Sequence, residues 1–189
     1  MAATGTSFSE VYNSFFAKIT DDMYMELTPQ ETRDGAEELL LTALFKFEFP
    51  RIPLDYELNA LEEEVTDPMS GDIATITVGA FTHTLSIEEI NILASYMIVE
   101  WIGQQLASIE NTRMKYSGSD FKFTSQANHM QKLLQMKKDY EREGFHLQRL
   151  YKRRIKDVNG VYHSTFGSIM APPPPMPREK NPDDPANQD

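Results

Sequence analysis

The chain has 189 residues, 40% of them apolar, which suits one domain with a substantial core. It contains no cysteine, so disulfides, thiolate metal sites and cysteine nucleophiles are excluded. The net charge of -11 is unevenly spread: residues 1–111 hold 4 basic against 20 acidic side chains, residues 112–156 hold 12 against 4, and the remainder 2 against 5. An acidic body with one basic segment favours partners of opposite charge, further copies of the chain included.

The first sixteen residues lack a basic start followed by a continuous apolar run, so they do not read as a secretion signal, and synthesis in the cytoplasm is expected. Ser7 and Glu10 fit a Ser-x-x-Glu capping box ahead of Phe8, Val11, Tyr12, Phe15, Phe16 and Ile19, which recur at helical spacing. This short aromatic helix is expected to pack on the core. A break follows at Thr20, Asp21 and Asp22. Thr28-Pro29-Gln30-Glu31 marks the next start, with proline where its missing N–H costs nothing. The spacing predicts a helix from Pro29 to about Phe47, burying Ala36, Leu39, Leu40, Ala43, Leu44 and Phe47, with Arg33 among the residues facing elsewhere. Pro50 and Pro53 end it.

Residues 54–85 change character. Ile73 to Phe81 is rich in β-branched residues, with Ala74, Ile76, Val78 and Ala80 on one face and Thr75 and Thr77 on the other, which predicts a strand. A partner within Leu58 to Thr66, across the turn-rich 67–72, makes a hairpin; Glu62, Glu63 and Glu64 read as a solvated acidic edge. An isolated hairpin is marginal in water, so this one is expected to lie on helices or on a strand from another copy.

Ser86 and Glu89 form a further capping box, opening a central helix to Glu110 with Ile90, Leu93, Ala94, Met97, Ile98, Trp101 and Ile102 as a broad apolar stripe. Its apolar run is interrupted by Glu100 and too short to span a bilayer. Residues 111–125 read as a polar connection carrying Tyr116, Phe121 and Phe123. A last helix, capped by Thr124 or Ser125, buries Ala127, Met130, Leu133, Leu134 and Tyr140. It meets a potential bend at Gly144, then continues to Lys156 with Leu147, Leu150, Tyr151 and Ile155 on one side. Asn159-Gly160 signals a tight turn, after which Val161 to Gly167 fits a short strand. From Ala171 the chain is proline-rich and polar, unable to build a core, and is expected to extend as an arm.

The fold class expected is therefore mainly α: a helical bundle domain over 1–156 with a β-hairpin inserted at about 54–85, then an extended C-terminal arm over 157–189, proline-rich from 171. His83, His129, His146 and His163 are scattered, without the spacing that puts two metal ligands on one helix face, and no phosphate-cradling loop or serine-hydrolase elbow occurs. No catalytic residue, metal or cofactor is expected, and the chain does not read as an enzyme. The basic run Lys152, Arg153, Arg154 and Lys156 suits phosphates, but an acidic protein is repelled by nucleic acid at long range, so an acidic protein neighbour is preferred.

The order of these parts resembles the head-to-tail connector proteins, the adaptor or neck proteins, of tailed bacteriophages. The resemblance lies in Phe8 to Ile19, the acidic helix Pro29 to Phe47, the LSIEEINILASYMIVEWIGQQL stretch at 85–106, the polar FKFTSQANHMQKLLQMKKDYERE segment at 121–143, and the extended C-terminus. The hairpin between the second and central helices goes beyond the simplest members. The resemblance implies a structural virion protein of the neck, assembled as a ring, commonly of twelve copies. Such a ring attaches below the portal protein, meets a tail or head-closure protein, and continues a channel that DNA passes without sequence-specific binding and without a membrane. The residues expected to meet partners are Lys152, Arg153, Arg154 and Lys156, with Val161, Tyr162, Phe166, Ile169 and Met170 of the arm. The alternative is a small helical regulatory module whose basic helix binds nucleic acid or an acidic protein.

Overall fold

A computed structural model describes residues 5–19, 27–67, 70–115, 123–156 and 161–164. The fold is mainly α with a small antiparallel hairpin: helices α1 (Phe8–Phe16) and α2 (Pro29–Leu44), strands β1 (Tyr56–Thr66) and β2 (Ile73–Phe81), and helices α3 (Ile87–Lys115) and α4 (Phe123–Arg153). The expected break at 20–22, the connection over 116–122, the Asn159-Gly160 turn and the arm from 165 lie outside the described residues.

Two of the three expected capping boxes form. At α2, Thr28 Oγ1 accepts from the backbone N–H of Glu31 at 3.3 Å, and the Thr28 backbone N–H donates to Glu31 Oε2 at 3.0 Å. The Thr28 hydroxyl, which donates to Glu31 Oε2 at 2.7 Å, and the Thr28 N–H together hold the Glu31 carboxyl below the usual range. Ser86 and Glu89 do the same at α3. At α1 the box is replaced. Ser7 Oγ accepts from the Ser9 N–H, while Ser7 Oγ donates to Glu63 Oε1 and Ser9 Oγ to Glu63 Oε2, both at 2.6 Å, leaving Glu10 exposed. A carboxylate from β1 thus sits at the positive end of α1, so Glu63 is not part of a solvated edge, whereas Glu62 and Glu64 are exposed.

The hairpin pairs Thr66 with Ile73, Glu64 with Thr75 and Glu62 with Thr77, and shifts register between Glu57 and Leu61. Within that bulge Asn59 takes φ 52°, the left-handed region that asparagine tolerates better than most residues. Its Oδ1 accepts from Arg33 Nη2 at 3.0 Å. Arg33 also pairs with Asp34 at 2.7 Å and Glu37 at 2.8 Å, so it is buried instead of facing away as its place in the helical pattern suggested. The inner face of β2, Ile76, Val78 and Ala80, packs toward the helices, and Phe8 lies over Gly79, where a Cβ would come within 2.6 Å of its ring. Ser7 bridges Ala80 on the other side from β1, and Thr6 exchanges backbone bonds with Phe81 and His83. The hairpin is therefore anchored on helices and on the chain's own start.

The core joins Phe8, Val11 and Phe15 of α1, Leu39 and Leu40 of α2, and Leu93, Met97 and Ile102 of α3. Along α4, Met130, Leu133, Lys137, Tyr140, Gly144, Leu147 and Tyr151 form the buried or half-buried stripe at alternating spacings of three and four, while Leu134, expected in that stripe, is exposed. Contacts to α3 fall at Glu89 with Tyr151, Tyr96 with Gly144, and Gly103 with Lys137, so each heptad step along α3 is matched by a heptad step back along α4. α4 does not break at Gly144; the missing Cβ admits the Tyr96 ring, to which a Cβ would come within 3.0 Å. α3 continues through Lys115 and α4 begins at Phe123, so helix takes both ends of the expected connection.

A second compact unit runs from Arg153 onward. In it β3 (Arg154–Lys156) pairs antiparallel with β4 (Tyr162–Ser164), aligning Ile155 with His163 and Lys156 with Tyr162. Helix was expected to reach Lys156. Antiparallel pairing with Tyr162–Ser164 takes those three residues instead.

Candidate interaction surface

The surface is organised around Gln148, a buried amide on α4. Its Nε2 donates to the Lys46 carbonyl at 2.9 Å and to Tyr96 Oη at 2.5 Å, and its Oε1 accepts from the Glu48 N–H at 3.0 Å. One side chain thereby satisfies the backbone of the segment that follows α2 and holds it against the end of α4. One turn further, Tyr151 Oη donates to Glu89 Oε1 at 2.5 Å and accepts from the Arg51 N–H at 2.9 Å. The Arg51 guanidinium stacks on the Tyr151 ring at 3.8 Å, bonds to the Tyr151 carbonyl and lies 3.8 Å from Glu88. Lys46 pairs with Glu100 at 2.5 Å.

This lattice places aromatic side chains in solvent. Phe45, the residue closing α2, is 90% exposed, Phe49 51% and Phe145 52%. Phe145, Arg149 and Lys152 form one exposed stripe on α4, with the Lys152 ammonium 4.0 Å from the Phe49 ring centroid and the Arg149 guanidinium 5.9 Å from that of Phe145. Neither Arg149 nor Lys152 joins an ion pair among the described residues. Glu48 contributes one exposed carboxylate to the same segment. Exposed aromatics beside arginine and lysine have the composition of an interface core with a charged border.

Of the partner-binding residues expected from the sequence, Lys152 lies in this patch. Arg153 and Arg154 are exposed, at the end of α4 and the start of β3, and Lys156 pairs with Tyr162 across the β3–β4 ladder. Val161 is exposed, and Phe166, Ile169 and Met170 lie outside the described residues. Sequence reading missed Phe45, Phe49 and Phe145. The available signal was that Phe45 is out of phase with the Leu40, Ala43 and Phe47 stripe.

A cavity of about 280 Å³ between α1, α2 and the hairpin is lined by Ser9, Phe16, Arg33, Glu63, Val65 and Ile76, among others. Its charged lining is already engaged internally, Glu63 with Ser7 and Ser9, and Arg33 with Asp34, Glu37 and Asn59. Among the described residues no three His, Asp or Glu side chains stand together as a metal site, and no helix is long and apolar enough to cross a membrane. No family model, curated protein or solved structure matches the chain.

Proposed function

We propose that the protein is a structural assembly part, a head-to-tail connector of the adaptor type in a phage virion neck. In this reading its helices act as a bundle that joins other copies in a ring, commonly of twelve, below the portal. The ring meets a tail or head-closure protein on its other side, and DNA passes its acidic wall without adhering. The chain is not an enzyme in this account, and the C-terminal arm from 157 attaches to a neighbour, by strand addition or as polyproline II.

The observation that carries the reading is the solvent exposure of Phe49 and Phe145 beside Arg149 and Lys152, held in place by the buried Gln148 and Tyr151 bonds. Exposed aromatics on a rigid support suit protein docking, and the charge division between residues 1–111 and 112–156 suits neighbours of alternating sign. The test is electron microscopy of the purified protein mixed with portal rings. Added density on one end of the portal is expected, lost when residues from Gly160 onward are deleted although the deleted chain keeps its helical circular dichroism. Absence of association with the full chain counts against the proposal.

The alternative of a small regulatory module is favoured by Lys132, Lys138, Arg149 and Lys152, all exposed on the one helix α4. It predicts DNA binding by a free monomer or dimer that weakens steeply with salt.

A further inference from the structure

We propose that copies of this chain join head to tail, the aromatic and basic patch of Phe49, Phe145, Arg149 and Lys152 on one copy seating the outer face of the hairpin of the next. This rests on the assembly role above and names the surface that makes the contact.

The hairpin register defines the complementary face. Glu62, Glu64 and Thr66 on β1 stand opposite Thr77, Thr75 and Ile73 on β2, and alternation puts these six on the face opposite Ile76 and Val78, where all but the half-buried Thr77 are exposed. Glu62 and Glu64 are exposed and join no ion pair among the described residues, and Ile73 is 71% exposed. The two surfaces match in kind: two carboxylates and an apolar end on the hairpin, two cations and two phenyl rings on the patch. Among the described residues neither match is made within one chain, since of the three consecutive glutamates Glu63 turns inward to Ser7 and Ser9, and Arg149 and Lys152 lie over the rings of Phe145 and Phe49. Two different surfaces meeting make a heterologous contact, the kind that builds rings or filaments rather than closed pairs.

The test uses the full chain alone, without a portal, by sedimentation equilibrium across protein and salt concentration. Wild-type mass is expected to rise above the 21.7 kDa of one chain with protein concentration and to fall as salt is added. Two variants, Arg149→Glu/Lys152→Glu and Glu62→Lys/Glu64→Lys, each lose self-association by about ten-fold or more, because like charges then face each other. Mixed in equal amounts, they associate again, since each supplies the surface the other needs. All four positions are exposed, and unchanged thermal unfolding of each variant confirms that the fold is intact. A monomeric wild type at every concentration, or a mixture no larger than its separate components, overturns the proposal. Binding of such a monomeric chain to a portal would leave the adaptor role standing, so the two failures are distinguishable.

Discussion

Tyr151 donates its hydroxyl proton to Glu89 across 2.5 Å, linking the end of α4 to the beginning of α3. Glu89 is buried and divided between two tasks: Oε1 takes this bond, and Oε2 accepts from the Ser86 N–H to cap α3. The same hydroxyl accepts from the Arg51 N–H, so one phenol ties two helices and the segment that presents Phe49. A buried polar network of this type fixes one arrangement when every member is satisfied and is costly when one is removed.

Replacing Tyr151 by phenylalanine leaves Glu89 Oε1 and the Arg51 N–H without that partner, and is expected to lower stability by about 1–3 kcal/mol. Tyr12 is the contrast. Its hydroxyl is buried with no hydrogen-bond partner among the described residues, so Tyr12→Phe is expected to be neutral or stabilising. Urea unfolding midpoints, at unchanged slope, read both.

Stability is expected to fall as pH rises past the ordinary tyrosine value of 10.0. Burial raises the pKa of Tyr12, Tyr96 and Tyr151; Glu37 adds to the rise at Tyr12, the bond to Glu89 adds at Tyr151, and the bond from Gln148 opposes it at Tyr96. Above that value the unfolded chain releases these protons while the folded chain keeps them, so unfolding gains with each step in pH. Below it the three contributions are fully present. Urea midpoints measured from neutral to alkaline pH follow the decline, and Tyr12→Phe is expected to make it shallower.

Two glycines are expected to respond with opposite signs. A Cβ at Gly79 meets the Phe8 ring at 2.6 Å within a fully buried contact, so Gly79→Ala forces the ring or the strand to move, at a cost of about 1–3 kcal/mol. A Cβ at Gly35, inside α2, meets nothing within 4 Å, and Gly35→Ala is expected to add about 0.5–1 kcal/mol through helix propensity alone. Thermal unfolding of the pair checks the prediction.

Arg33→Met removes the cation between Asp34 and Glu37 and leaves Glu37, largely buried, without its partner. The expected loss is about 3 kcal/mol, and the double change Arg33→Met/Glu37→Met is expected to recover most of it, since the stranded charge is gone. Equal destabilisation by the single and double variants would contradict the assignment.

What was legible in the sequence was local. The boxes of Thr28 with Glu31 and Ser86 with Glu89 form because both partners lie within one turn, and the alternation of β2 survives because its faces meet different surroundings. The box of Ser7 with Glu10 fails because Glu63, 56 residues away, offers both of its oxygens to Ser7 and Ser9. The same limit hid Arg33, whose burial depends on Asn59 across the bulge, and Gln148, whose value lies in carbonyl and N–H groups of a distant loop. Periodicity marks which side of a helix is apolar. It does not reveal that Leu134 faces water, nor that Phe45 ends α2 in solvent. The basic run was visible as composition, but the aromatic half of the patch comes from two segments that only the fold brings together.

The most direct measurement of the central claim is a reconstruction by electron microscopy of portal rings incubated with the purified protein, resolved well enough to count chains. The account predicts a closed ring of copies coaxial with the portal, with the Phe49 and Phe145 surface covered by a neighbour. Portal rings without added density, alongside free single chains, would contradict it.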